Sequence, residues 1–359
     1  MSFLYILIAI LMFGVLIAVH ELGHFLSAKL FGIKVNEFAI GMGPAIWKKQ
    51  RGETLYALRA LPVGGFCGIE GEDGDSDDPR AFPKKPLWQR LLVLAAGSIM
   101  NLLAGFLIAL VIYLLCSFSG DYVLANNELS GFMDGFPLQS ESGLLPGDRI
   151  LSVDGLRVHN TRDFSLFMSL SDGEQVDLVI RRDGKRIRLE DFPLQLREFT
   201  LEDGSTVLRY GLYFTSDPLT PLRAVREAYF DCTYYARVVW VSLKLLVTGG
   251  AGVEDLSGPV GIVKAISDAG VSAPTVGEGL LNVFSLIAFI AVNLAVMNLL
   301  PIPALDGGRI FSTLIFLLLE KLLGRKPSPK IEGGIHAVGL LLLLALMAFV
   351  MFHDIIRLF

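Results

Sequence analysis

The chain has 359 residues, of which 53% are hydrophobic and 19% charged, and its mean hydropathy is +0.56. That is too apolar for an ordinary soluble chain of this length and indicates a polytopic α-helical membrane protein. The net charge of −5 says little about partners, but no basic stretch interleaved with aromatics suggests nucleic acid, and Cys67, Cys116 and Cys232 lack the spacing of a disulfide framework or thiolate metal site.

The first apolar run, Ser2 to Val19, has neither the basic n-region nor the small-residue cleavage site of a secretory signal. At ~1.5 Å per residue it crosses most of a hydrocarbon core before reaching His20-Glu21-Leu22-Gly23-His24. In a helix, positions i and i+4 share a face, so His20 and His24 can offer two imidazole nitrogens to one cation. Glu21 lies close enough to polarise a water at the metal without ligating it, which is the logic of a zinc hydrolase. The same pattern arises by chance on exposed helices. The apolar flanks oppose that reading, because ionisable groups in a membrane segment are expensive and functional by default.

The loop that follows carries Lys29, Lys34, Lys48, Lys49, Arg51, Arg59, Arg80, Lys84 and Lys85. By the positive-inside rule it is cytoplasmic and the N-terminus is outside. Within it, Glu53 to Ile69 alternates and then turns at Pro62 and Gly64-Gly65, which predicts a hairpin. Its apolarity favours a membrane-associated hairpin beside the site, whose edge could pair with an extended peptide, over a cytosolic surface hairpin. Glu70 to Asp78 reads as a solvated acidic loop without calcium-ligand spacing.

A second span runs from about Leu91 to Leu115, with Asn101 expected as a helix-packing contact more than a catalytic group. From residue 120 to 218 the composition becomes that of a soluble domain, with short strands and turns such as Asp172-Gly173 and Asp183-Gly184. Ser142 to Gly155 and Ile180 to Ile187 resemble the signature of bacterial PDZ domains, which take extended peptides by strand addition. Pro221 to Val247 mixes apolar residues with Arg223, Arg226, Glu227, Asp231, Arg237 and Lys244, which suits a helix lying on the outer leaflet.

The third span, Gly279 to Leu300, runs into a break at Pro301 and Pro303, neither of which continues a regular helix. Irregular backbone at membrane depth marks functional sites. Asp306 follows, either as a third, oxygen ligand that leaves a fourth position open for water or as the N-cap of the apolar helix at Arg309 to Leu323. Both roles can coexist. Lys321, Arg325, Lys326 and Lys330 form a second inside loop, and Ile335 to Phe352 is the last of about four spans. His336 is expected at the interface, and His353 too far away to join the site.

Taken together, His20 to His24, Gly41-Met-Gly-Pro44, Pro62-Val-Gly-Gly-Phe66, Ala81 to Asn101, the PDZ signature, Leu256-Ser-Gly-Pro-Val-Gly261 and Asn298 to Gly307 resemble the bacterial site-2 proteases of the regulator-of-sigma-E-protease type over nearly the whole chain. The resemblance implies one zinc ion held by His20, His24 and Asp306, with Glu21 as general base. It further implies substrate contacts at Asn293, Asn298, Pro301 and Pro303, and at Gly64, Gly65 and Phe66 of the hairpin. The implied substrates are single-span membrane proteins, such as anti-sigma factors already trimmed outside, or signal-peptide remnants. An external PDZ domain would screen them by size. The implied location is the bacterial cell membrane, with both termini and the PDZ domain outside and the site near the cytoplasmic side. Two departures are a Ser98 where the family has proline and a single PDZ domain where some relatives have two.

The expected organisation is a membrane part over 1–119, an inserted domain over 120–218, an interfacial helix and linker over 219–278 and a second membrane part over 279–359. Two rival readings are a membrane-tethered PDZ scaffold with a structural or vestigial zinc, and a zinc or proton transporter.

Overall fold

Among the described residues, four helices are long and apolar enough to cross a membrane, and they fall where the hydropathy predicts: Phe3–Leu30, Leu87–Phe118, Val276–Asn298 and Gly333–Ile356. The structure, a computed structural model, describes residues 2–72, 74, 76–120, 122–171, 174–200, 205–252, 256–323 and 329–356. The expected turn at Asp172-Gly173 and the basic residues Arg325 and Lys326 lie outside these. In chain order the elements are α1 (Ser2–Leu30), β1 (Val35–Arg51), β2 (Thr54–Ile69), α2 (Leu87–Phe118), β3 (Val123–Phe132), β4 (Arg149–Val153), β5 (Leu156–Arg157), α3 (Thr161–Met168), β6 (Val176–Arg182), β7 (Lys185–Phe192), β8 (Arg197–Thr200), β9 (Thr206–Arg209), β10 (Leu212–Pro218), α4 (Pro221–Thr248), α5 (Pro259–Val271), α6 (Val276–Asn298), α7 (Asp306–Leu323) and α8 (Pro329–Ile356). They divide into two compact units, one of residues 1–112 with 231–359, the other of residues 113–230.

The first unit packs its helices through small residues, as expected where lipid supplies no hydrophobic drive between helices. Tyr5 of α1 is 1% exposed, and its ring occupies space left by Gly270 of α5 and Gly279 of α6. A methyl at Gly105 of α2 would stand 2.8 Å from Val292 of α6. Helix α5, not anticipated from the sequence, starts with Pro259 at its first turn behind Gly258. The buried carboxylate of Asp354 on α8 accepts the Gly261 amide at 2.8 Å, satisfying a donor that a helix N-terminus leaves unpaired. Gly258 and Gly261 both lack the side chain that would collide with that carboxylate.

The predicted hairpin takes a different form. The two halves of Glu53 to Ile69 do not pair with each other, because residues 35–42 lie between them. Leu55 and Leu58 pair with Glu37 and Ile40 on one side of that segment, and Gly65, Cys67 and Ile69 pair with Ile40, Phe38 and Val35 on the other. Residues 45–51 complete a sheet four segments wide, with 45–51 at one edge and 65–69 at the other. Bends at Gly41 and Gly64, with φ of 86° and 89°, let the two long strands fold over. The acidic stretch after it is an irregular loop tied down by ion pairs: Glu70 and Asp78 meet Lys34 at 3.3 and 3.1 Å, and Glu72 pairs with Arg309.

The second unit is an antiparallel sheet ordered β10-β3-β4-β6-β7, with β5 beside β4. Ile150, Leu178 and Ile180 are fully buried on one face, against Phe164, Phe167 and Met168 of α3. Asn160 caps α3 by accepting the amides of Arg162 and Asp163. The Asp183-Gly184 turn between β6 and β7 has both central φ values positive, at 49° and 78°, as a two-residue hairpin of type I′ requires.

Candidate metal centre

Helix α1 carries an uncharged run up to His20, and nothing in that run interrupts the helix, so His20 and His24 emerge on one side of it. Helix α2 crosses α1 where both have glycine. Gly23 leaves room for the Ala96 carbonyl, and Gly97 lies directly against the two imidazoles. From the other end of the chain, the Pro301 to Leu305 segment breaks the backbone between α6 and α7 and delivers Asp306 at the start of α7.

The result is a cluster in which one atom each of His20, His24 and Asp306 lies within 4.8 Å of the others. Asp306 Oδ2 is 3.0 Å from His20 Nε2 and 3.3 Å from His24 Nε2, and the two Nε2 atoms are 3.2 Å apart. Both histidines are buried. His24 Nδ1 donates to the Val93 carbonyl at 2.8 Å, which fixes its proton on Nδ1 and leaves a bare lone pair on Nε2. Asp306 Oδ2 is buried and without a hydrogen-bond donor. Lone pairs facing one another in a water-poor site repel unless a cation lies between them. Two imidazoles and a carboxylate are the donor set of a catalytic zinc site with one open position, so the residues present fit the ion.

Asn101, on α2, packs against the cluster through His20. Its amide lies 3.4 Å from His20 Nδ1, and its Oδ1 is buried without a partner. Rotating the amide by half a turn turns this contact into His20 Nδ1–H donating to Oδ1, the partner a metal-bound histidine needs. His336 accepts the Ala304 amide on Nδ1 at 3.0 Å and reaches Ser312 Oγ with Nε2 at 3.3 Å. Ala304 has φ of +79°, a conformation costly for a residue with a side chain. His336 thus holds the strained segment that carries Asp306. Sequence alone offers one signal for either residue, a polar side chain in an apolar stretch, and that signal does not say what it touches.

Glu21 is half-buried beside the cluster, in electrostatic contact with His24, His20 and Asp306 and with the Cys67 amide. A methyl at Gly65 would lie 2.7 Å from Glu21 Cγ, so the 65–69 edge of the sheet runs over the carboxylate. Gly64 faces Met42, and Phe66 is 49% exposed. Asn293 lines an apolar cavity of about 470 Å³ with Ser242, Ser257 and Phe289. Asn298 ends α6, and Pro303 packs against Gly339 of α8.

Comparison with known proteins agrees with this chemistry. The profile of peptidase family M50 matches residues 8–346. A protein of Clostridium perfringens that carries the name of a zinc metalloprotease is 38% identical over 98% of this chain and 99% of its own. Another so named, from Fusobacterium nucleatum, is 34% identical over 98% and 99%. The regulator of sigma-W protease RasP of Bacillus subtilis is 28% identical over 98% of each chain.

Proposed function

We propose a mechanism from the premise that the chain belongs to peptidase family M50 and is a membrane-embedded zinc metalloprotease of the site-2 protease type. In this mechanism His20, His24 and Asp306 hold the zinc ion and Glu21 is the general base. The observation that carries the assignment is the convergence of two imidazole nitrogens and a buried carboxylate oxygen next to a second carboxylate covered by a strand edge. When bound, zinc supplies Lewis-acid polarisation of the scissile carbonyl and acidifies the attacking water. Glu21 accepts the proton of that water and passes it to the leaving amine. An asparagine side chain, Asn293 or Asn298, donates to the oxyanion or holds the neighbouring peptide.

The substrate is a single-span membrane protein whose helix unwinds at the cleavage site, since helical amides are unavailable for attack. Its extended stretch adds to the 65–69 edge, where Gly64, Gly65 and Phe66 place it over Glu21, while Pro301 and Pro303 bound the far side. The apolar cavity beside Asn293 supports a seat for the intact part of the span. The substrates are anti-sigma factors already trimmed outside or signal-peptide remnants. The inserted domain is a PDZ domain on the outer side of the bacterial cell membrane that excludes untrimmed ectodomains, and the active centre lies toward the cytoplasm, with α4 along the outer leaflet.

The test is Glu21→Gln, assayed on a single-span substrate in detergent together with zinc content. Retained zinc with cleavage lowered about 10²- to 10⁴-fold is the expected result. Unchanged cleavage would refute the general-base role, and a wild-type protein that binds zinc but cleaves no trimmed span would favour a membrane-tethered scaffold.

A further inference from the structure

On the outward face of the second unit's sheet, opposite the core, Arg149 of β4 stands directly across from Arg181 of β6, which stands directly across from Arg186 of β7. Directly opposed residues on one face lie about 5 Å apart at Cβ, and like charges there are destabilising. Glu128 relieves Arg149 at 2.9 Å. The side chains of Arg181 and Arg186 make no ion pair or hydrogen bond among the described residues.

These three line a polar cavity of about 570 Å³ together with Arg157 of β5 and with Arg223 and Arg226 from the first two turns of α4. Of the six arginines there, Arg149 is paired with Glu128, Arg157 has a partner of its own, and Arg223 and Arg226 are engaged by the lining carboxylates Asp217 and Glu227, which leaves the charges of Arg181 and Arg186 uncompensated among the described residues. The basin therefore holds excess positive charge around a space large enough for a phosphate-bearing headgroup.

Its position selects the occupant. The chain enters the basin at Ala125 to Asn127, a few residues beyond the end of the apolar span α2, and leaves through Arg223 and Arg226. The span's last turns belong to the same unit, and Arg162 of α3 donates to the Tyr113 hydroxyl of α2 at 3.0 Å, two residues from the cavity-lining Asn160. Beside the α4 arginines, Leu222, Val225 and Tyr229 are 84%, 46% and 58% exposed. A helix start that sets arginines directly beside bare apolar groups suits the boundary between headgroups and acyl chains.

We propose that this arginine basin binds the phosphate of an anionic phospholipid headgroup and seats the inserted domain on the bilayer. An acidic peptide would not use the adjoining apolar turn, and free phosphate would not account for it. The assignment is independent of the proteolytic reading, and its test reads binding alone.

The full-length, delipidated protein in detergent is titrated by native mass spectrometry with phosphatidylglycerol and with phosphatidylcholine of the same acyl chains. Inorganic phosphate and an oligoglutamate peptide serve as competitors. The expected result is preferential phosphatidylglycerol binding that R181Q/R186Q weakens roughly thirtyfold, with phosphatidylcholine unaffected and R181K/R186K within a few-fold of wild type. Equal phosphatidylglycerol affinity in wild type and R181Q/R186Q would overturn the proposal. So would tighter binding of oligoglutamate than of the lipid, or inorganic phosphate bound at the basin with no preference for phosphatidylglycerol.

Discussion

The tightest constraint on the metal centre is the missing side chain at Gly97, and Gly97→Ala is the perturbation that probes it. A methyl there would sit 2.6 Å from His20 Cε1 and 2.7 Å from His20 Nε2, and nearer still to His24 Nε2. Ordinary heavy-atom contact begins near ~3.5 Å, so one or both rings must retreat by about 0.8 Å or more. Zinc–nitrogen bonds hold within about 0.2 Å of their preferred length, so the displacement exceeds the tolerance about fourfold. Zinc affinity should fall at least ~100-fold, the upper end of what loss of a mere supporting hydrogen bond costs. The assay is zinc content by mass spectrometry after equilibration in graded zinc buffers, with thermal unfolding followed in parallel. Gly105→Ala is the comparison, since its methyl would meet Val292 at 2.8 Å, away from the histidines. That variant should lose about 1–3 kcal/mol of packing stability and keep full zinc in its folded fraction. Stoichiometric, wild-type-affinity zinc in Gly97→Ala would refute the three-ligand assignment, and equal zinc loss in both variants would reduce the effect to helix packing.

Other outcomes follow from neighbouring contacts. His336→Ala should loosen the Ala304 amide and weaken zinc binding about 10- to 100-fold, whereas His336→Asn, which keeps an acceptor, should recover part of it; equal affinities for Ala and wild type would remove His336 from the support of Asp306. Asn101→Ala should cost a similar factor, read by competition with a chromogenic chelator. Gly65→Ala crowds Glu21 and not the imidazoles, so cleavage should drop while zinc content stays whole. In the inserted domain, the Asn126 amide and then Arg223 hold the Asp217 carboxyl below its ordinary value of 3.8. Its stabilising contribution is complete above that value and disappears as pH falls through the lower folded one; Asp217→Asn should flatten the melting temperature against pH in that window, and an unchanged acid limb would contradict the assignment.

The histidine pair was legible because helix geometry alone fixes the relation of residues four apart. Asp306 was legible because two prolines within three residues cannot sit in a helix, which turned a distant carboxylate into a candidate. What escaped depends on how helices cross. Asn101 touches His20 only because Gly23 and Gly97 let α1 and α2 approach at that height, and no periodicity in either helix encodes the choice. The role of His336 is not legible in the sequence, because its partner is a main-chain amide, invisible in a pattern of side chains. The hairpin was misread because residues 35–42 interrupt their alternation with Gly-Met-Gly and look like loop, although those glycines are what lets the strand bend back between the two halves of its neighbour. Helix α5 did leave a trace, a proline at its first turn after glycine, within a stretch taken for linker.

The ligands that converge on one point come from opposite ends of the chain. His24 is translated before the whole inserted domain and Asp306 only after it. At bacterial elongation rates of about 5–20 residues per second, roughly 15–60 s separate the two. For that interval the proposed site would hold Glu21 and the two imidazoles without Asp306. On the proposed ligand set the protease is latent until Asp306 is made, so translation beyond the inserted domain times its activation.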